Sequence, residues 1–455
     1  MTNLTDLIYP TIDLFLYDLK AGLGEEDPRT DENTRQFWQK IYGAQLTNNH
    51  LEQFKQAEIE GGDYIELLGS QKLKFFEPPL DGYFYPVQLG DMYGLLVDCT
   101  ANFIQDYKFS PQPIANLSKI QQEIKAKIDA DNLKPKLGQT WLIWGQLAAD
   151  NQDPLATAKE CYAQLNLPAM PNWDENKLVI NQGKFLGGTV FDLWYLPPQS
   201  QQIDDGYHIL IMLFPYNLKI DAIRDNVSQL YPQLMRLFAY RHKILWAYAQ
   251  SRSLKSNLKQ VFQSVQTTIR DLNQTVASGK LNINKLQNTL EKTPNILLKY
   301  TNNLNSLDDQ GRTIKVNVGN YHKRLEKIKK LDSNSDWEFW QQFGEFTKEK
   351  FLEQIESDYA NLSPGLRLME NTIQTIQGII DIEKTKSDRI LNQTVGIVGV
   401  GLATSQIASA VILTQDKPNP EVALNYRIEV FGLSLGIGLL AAVVAFIILR
   451  FGRRG

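Results

Sequence analysis

The chain has 455 residues, 43% of them hydrophobic and 22% charged, which excludes a disordered polypeptide and exceeds one ordinary domain. A formal net charge of -4 offers no whole-chain attraction to nucleic acid, so no nucleic-acid partner is expected. Only two cysteines occur, Cys99 and Cys161, which excludes a disulfide framework and a cysteine metal knuckle; both read as small buried residues.

Residues 1–219 read as an α/β domain. Short β-rich runs bounded by Gly and Pro fall at 94–99, 140–145, 178–180, 189–196 and 207–214, with helical stretches such as 120–128 and 154–164 between them. The first nineteen residues carry acidic side chains and no apolar run long enough for a signal peptide. Pro197-Pro198 and the polar residues after it predict a surface loop. There is no Gly-x-x-x-x-Gly-Lys, no Gly-x-Ser-x-Gly and no His-Glu-x-x-His, so an enzyme is not expected. His50, His208 and His242 stand alone in sequence without metal-ligand spacing and read as structural or surface residues.

From 220 to 335 strand signals vanish and long apolar stripes predict an antiparallel hairpin of helices. One stripe runs through Leu237, Ile244, Tyr248, Leu258, Phe262, Val265, Ile269 and Leu272. After a turn at Ala277-Ser278-Gly279 the second runs from Ile283 through Leu286, Leu290, Leu297, Tyr300, Leu304 and Leu307, then through Val318, Tyr321, Leu325 and Ile328. Pro294, inside the second helix, is expected to kink or restart it. The run His322, Lys323, Arg324, Lys327, Lys329 and Lys330 is the densest basic patch; it reads as a solvated helix face, or as a surface near anionic head groups or a pore mouth.

Residues 336–394 begin with Trp337, Phe339, Trp340, Phe343 and Phe346, an aromatic cluster expected to dock on the α/β domain. Ser363-Pro364 then reads as an N-cap with Pro at the first helical position, opening a stalk striped by Leu366, Met369, Ile373, Ile376 and Ile380. Residues 395–413 and 430–449 are uncharged, and each is about twenty residues, enough to cross a hydrocarbon core of roughly 30 Å as a helix. Lys384, Lys386 and Arg389 precede the first span, and Arg450, Arg453 and Arg454 in the tail 450–455 follow the second. Basic flanks favour the inner side, which predicts a two-pass integral membrane protein with both termini cytoplasmic and 414–429 as an extracytoplasmic loop.

A cytoplasmic α/β domain, two long antiparallel helices, a stalk entering the membrane, a short outer loop, a second span and a basic tail together resemble the CorA-like family of divalent cation transporters. Arg389-Ile390-Leu391-Asn392-Gln393 falls where that family carries an Arg-x-Asn-Glu run. The resemblance implies a homopentamer with pore-lining first spans, gated by its cytoplasmic domain through a regulatory ion or small ligand, and a divalent cation such as magnesium as the ion handled. The family's Gly-Met-Asn signature is absent, the corresponding stretch reading Leu413-Thr414-Gln415-Asp416-Lys417-Pro418-Asn419-Pro420.

Asn392, Gly399 and Gln406 recur every seven residues and share one helical face, where amide oxygens in an oligomeric ring would replace water around a cation. Such amides also serve as helix-helix glue. The face carrying Thr394, Gly401 and Thr404 is the competing pore lining. Asp416 and Glu421 are candidates for a cation-attracting outer mouth, and Gly432-x-x-x-Gly436 for close helix packing. The second reading is a membrane-anchored sensor or interaction protein, or an effector, whose hairpin passes no selective ion flux.

Overall fold

In the computed structural model the described residues are 6–21, 27–58, 62–78, 81–100, 110–130, 133–167, 170–174, 178–195, 207–277, 283–332, 335–336 and 338–385. The chain divides into two units, Met1–Asn257 with Asn303–Asn361, and Leu258–Asn302 with Leu362–Gly455. The α/β domain and the long helices after it are both present.

The first unit is built on a ten-stranded sheet. Its strands are β1 (Asp6–Leu19), β2 (Ile65–Glu66), β3 (Lys74–Phe75), β4 (Asp81–Leu89), β5 (Met92–Thr100), β6 (Pro111–Pro113), β7 (Gly138–Leu147), β8 (Val179–Phe185), β9 (Gly188–Tyr195) and β10 (Tyr207–Phe214). The order is β2-β4-β5-β1-β7-β10-β9-β8, with β3 on β4 and β6 on β1. Every pairing is antiparallel except β7 with β10. Strand β1 lies between β5 and β7, broken only by a register shift between Ile8 and Thr11.

Successive side chains of a strand point to opposite faces. On β1, Ile12, Leu14 and Leu16 join Phe37, Trp38, Ile41, Leu51, Phe54, Ile120, Ile124 and Cys161 in one core. That core is closed by α1 (Asp27–Tyr42), α2 (Asn48–Ala57), α3 (Asn116–Lys127) and α4 (Pro154–Gln164). The alternate residues Asp13, Phe15 and Tyr17 meet α5 (Ile220–Ala277): Phe15 lies edge-on to Tyr231 and Phe238, and Tyr17 donates to the Met235 carbonyl at 3.0 Å. With both faces covered, β1 is buried along nearly its whole length.

Helix α5 runs 58 residues and α6 (Ile283–Lys329) 47, with the break between them where the turn was expected. The apolar stripe of α6 is buried in the first unit through Leu304, Leu307, Val318, Tyr321, Leu325 and Ile328, and Ile314 fills the gap the sequence left in it. Of the two expected effects of Pro294, a restart is not seen: α6 runs through it without a break. The Pro294 side chain is exposed, on the solvent side of the helix. The expected strand at 178–180 is the start of the longer β8, which pairs with β9 throughout.

The aromatic block forms α7 (Glu338–Phe346), which docks on the sheet as expected: Trp340 meets Phe185, and Phe343 and Phe346 meet Trp194. Trp337 lies outside the described residues. One wide turn, Thr347–Leu352, carries Phe351 onto Tyr248 with ring centroids 3.9 Å apart before α8 (Glu353–Leu362). Asp358 of α8 holds Arg252 at 2.7 Å and Lys255 at 2.6 Å, tying α8 to α5.

In the second unit, α9 (Pro364–Thr385) starts at the expected proline. Ile376 and Ile380 pack on Leu286 of α6, with Leu290 and Ile379 at the margin. Met369 and Thr372 complete the buried face, while Leu366 and Ile373 of the expected stripe are half-buried. Among the described residues no helix is long and apolar enough to cross a membrane. The expected spans at 395–413 and 430–449, their loop and the tail lie outside the described residues.

Candidate functional sites on the sheet and between the long helices

Asn392, Gly399, Thr404, Gln406, Asp416, Glu421, Gly432, Gly436, Arg450, Arg453 and Arg454 all fall outside the described residues. The described part of the first unit carries three polar constellations, of which the sequence had marked only the basic run in the third.

The first is a carboxyl pair beneath α5. Asp13 of β1 and Asp98 of β5 are register partners. The Tyr231 hydroxyl donates to Asp13 Oδ2 at 2.8 Å and lies 3.2 Å from Asp98 Oδ2, while the Trp144 indole donates to Asp13 Oδ2 at 3.0 Å. Burial, then the negative charge of Asp98, holds the Asp13 carboxyl well above its ordinary value; burial raises Asp98 to about 6. Asp13 Oδ1 is buried and has no hydrogen-bond partner. The pair is an acid beside a carboxylate at neutral pH.

The second lies further along the same sheet face. Thr140 Oγ1 is 2.8 Å from both His208 Nδ1 and His242 Nε2, and His208 Nε2 is 2.8 Å from Asp192 Oδ1. Burial holds His208 down to about 4 and His242 well below its usual range, so both rings are neutral. Burial alone would raise the Asp192 carboxyl, but the His208 hydrogen bond and the charges around it outweigh burial and the group sits below its ordinary value. One proton order follows: His242 Nε2 donates to Thr140, Thr140 to His208 Nδ1, and His208 Nε2 to Asp192. Gly138 makes room, because its φ of +141° and a Cβ only 2.5 Å from His242 Nδ1 would both oppose a side chain. Arg241 stacks over Phe343 at 4.0 Å and Trp194 at 5.5 Å. Thr140 is fully buried, so this Thr-His-Asp chain joins sheet to helix and gives its hydroxyl no substrate to attack. His208 and His242, isolated in sequence, are brought together by β10 and α5.

The third constellation is open. A cavity of about 1090 Å³ lies between the β4–β5 turn, α5 and α6, lined by Asp91, Lys243, Trp246, Gln310, Arg312 and Asn317 among others. Lys243 is buried and paired with Asp91 at 2.8 Å. A second cavity of about 450 Å³ shares Asp63, Tyr240 and Asn320 with it and is lined further by Lys323, Arg324, Glu326, Lys327 and Lys330. The basic run of the sequence is thus one wall of a cavity on the sheet-bearing unit, and only Arg324 of its lining cations is buried. Among the described residues no group of three or more His, Cys, Asp or Glu side chains is placed to hold a metal ion. Comparison with protein-family models, with curated proteins and with solved structures gives no match to this chain.

Proposed function

We propose that the chain is a CorA-like homo-oligomeric membrane channel or transporter for cations, such as magnesium, gated by the sheet-bearing N-terminal part. The observation that carries this reading is the order of elements: a sheet domain, helices of 58 and 47 residues, and α9, after which the chain continues into two uncharged segments with basic flanks. Ile376 and Ile380 pack α9 on Leu286 of α6, and a second packing of this face would make it a gate. Ligand or ion binding to the N-terminal part would bias that packing, and the amide face of Asn392 and Gln406 would line the path opened.

The absent Gly-Met-Asn signature favours one second reading, a membrane-anchored sensor or interaction protein, or an effector, with the same architecture and no selective flux. The test is the mass of the detergent-solubilised complex followed by cation flux in liposomes. A pentamer that passes cations supports the first reading. A pentamer without flux under any cation supports the second. A monomer or dimer overturns the oligomeric pore.

A further inference from the structure

We propose that the 450 Å³ cavity bounded by Tyr240 of α5 and Asn320–Lys330 of α6 binds a diphosphate or triphosphate group, with Arg324 as its principal ligand. The proposal rests on neither ion conduction nor the membrane spans.

Arg324 is 8% exposed, yet its guanidinium meets no carboxylate; Nη1 donates to the Gln233 amide oxygen at 2.8 Å and the buried Nε has no hydrogen-bond partner. A buried guanidinium left like this costs free energy that a charged acceptor would recover. Of the other cations near α5, Lys243 is paired with Asp91 and Arg252 and Lys255 with Asp358, while Arg241, buried without an ion pair, is covered by the rings of Phe343 and Trp194 and feels the charge of Asp192. Arg236, one helical turn from Tyr240, adds to the imbalance. It lies over the Tyr64 ring at 3.7 Å, its own Nε is buried and unpartnered, and burial, then the nearby charge of Arg324, works against its protonated form. Lys323, Lys327 and Lys330 complete the wall, against which stand only Asp63 and Glu326. Among the described residues none of these five cations forms an ion pair.

Lysines in the last turn of α6 are also placed to favour its negative end. That accounts for Lys327 and its neighbours, but not for a buried arginine turned toward Gln233 instead of an acid. The lining carries four cations against two carboxylates, an excess of two positive charges to which Arg236 nearby adds a third; this exceeds what one carboxylate neutralises, whereas a di- or triphosphate supplies both the charge and the oxygens that planar guanidinium forks recognise. The volume is within the range of small-ligand sites. Tyr240 and Asn320 open it toward the larger cavity, which has room for an organic group attached to the phosphates.

The test uses the full chain in detergent, free of magnesium and phosphate, titrated calorimetrically with sodium pyrophosphate and separately with ATP. The expected result is one saturable site per chain for pyrophosphate, weakened at least tenfold in Arg324→Gln and several-fold in Lys323→Gln/Lys327→Gln. The double variant changes no buried side chain, so it keeps the test decisive if Arg324→Gln fails to fold. ATP binding at least tenfold tighter than pyrophosphate would identify a nucleotide as the source; equal affinity would assign recognition to the phosphates alone. No pyrophosphate binding to the folded parent, binding of ATP but not pyrophosphate, or affinity unchanged in the variants that fold would overturn the proposal.

Discussion

Replacing Asp98 with asparagine tests the carboxyl pair at its more accessible member. The parent group titrates near 6 in the folded chain against an ordinary value of 3.8. Its folded form is therefore the better proton binder, so the stability it supports is full below about pH 4 and lost as pH rises toward about 6. A difference of this size is worth about 3 kcal/mol at most, and the half-burial of Asp98 reduces it through water screening to about 2 kcal/mol. The asparagine amide would mimic the neutral carboxyl, still accepting through its oxygen from Asp13 or Tyr231 while carrying no charge. Asp98→Asn should match the parent near pH 4 and exceed it at pH 7.5, by about 2–3 °C in melting temperature for a chain of this size. The assay is thermal unfolding of both proteins in the same detergent from pH 4 to 8. A difference that does not change with pH, or a variant less stable than the parent at pH 7.5, would refute the shared-proton account.

Asp18→Ala leaves Lys40, 1% exposed and 2.8 Å from the lost carboxylate, uncompensated in the core. It should cost about 3–5 kcal/mol in denaturant unfolding, and Asp18→Leu combined with Lys40→Met should recover most of that. Gly138→Ala forces a Cβ to within 2.5 Å of His242 at a backbone angle that only glycine tolerates well. It should lower stability by about 1–3 kcal/mol and speed amide exchange in β7 and the facing turns of α5. Asn392→Leu and Gln406→Leu should change cation flux in liposomes and leave the oligomeric mass as in the parent; if both conduct like the parent, the pore lies on another face.

Much of the long-helix architecture was legible because its signal is local. Leu304, Leu307, Val318, Tyr321, Leu325 and Ile328 repeat at helical spacing, and each one is buried. The end of α5 at Ala277, the aromatic dock at Phe343 and the start of α9 at Pro364 were equally readable. Strand β1 was not, because Pro10, Thr11 and Asp13 interrupt its apolar pattern; its place between β5 and β7 depends on partners some eighty to 130 residues away. Strand β4 was missed as well.

The candidate sites divide along the same line. Sequence alone determined the helical stripes, the uncharged segments and their basic flanks, since each is a pattern among near neighbours in the chain. Only the tertiary structure decided that Asp13 meets Asp98, that Thr140 joins His208 to His242, and that Arg324 is buried with no carboxylate beside it. Those facts are set by which strands pair and which helix covers them. A charge surrounded by apolar residues in sequence does not reveal its neighbour until the sheet closes over it.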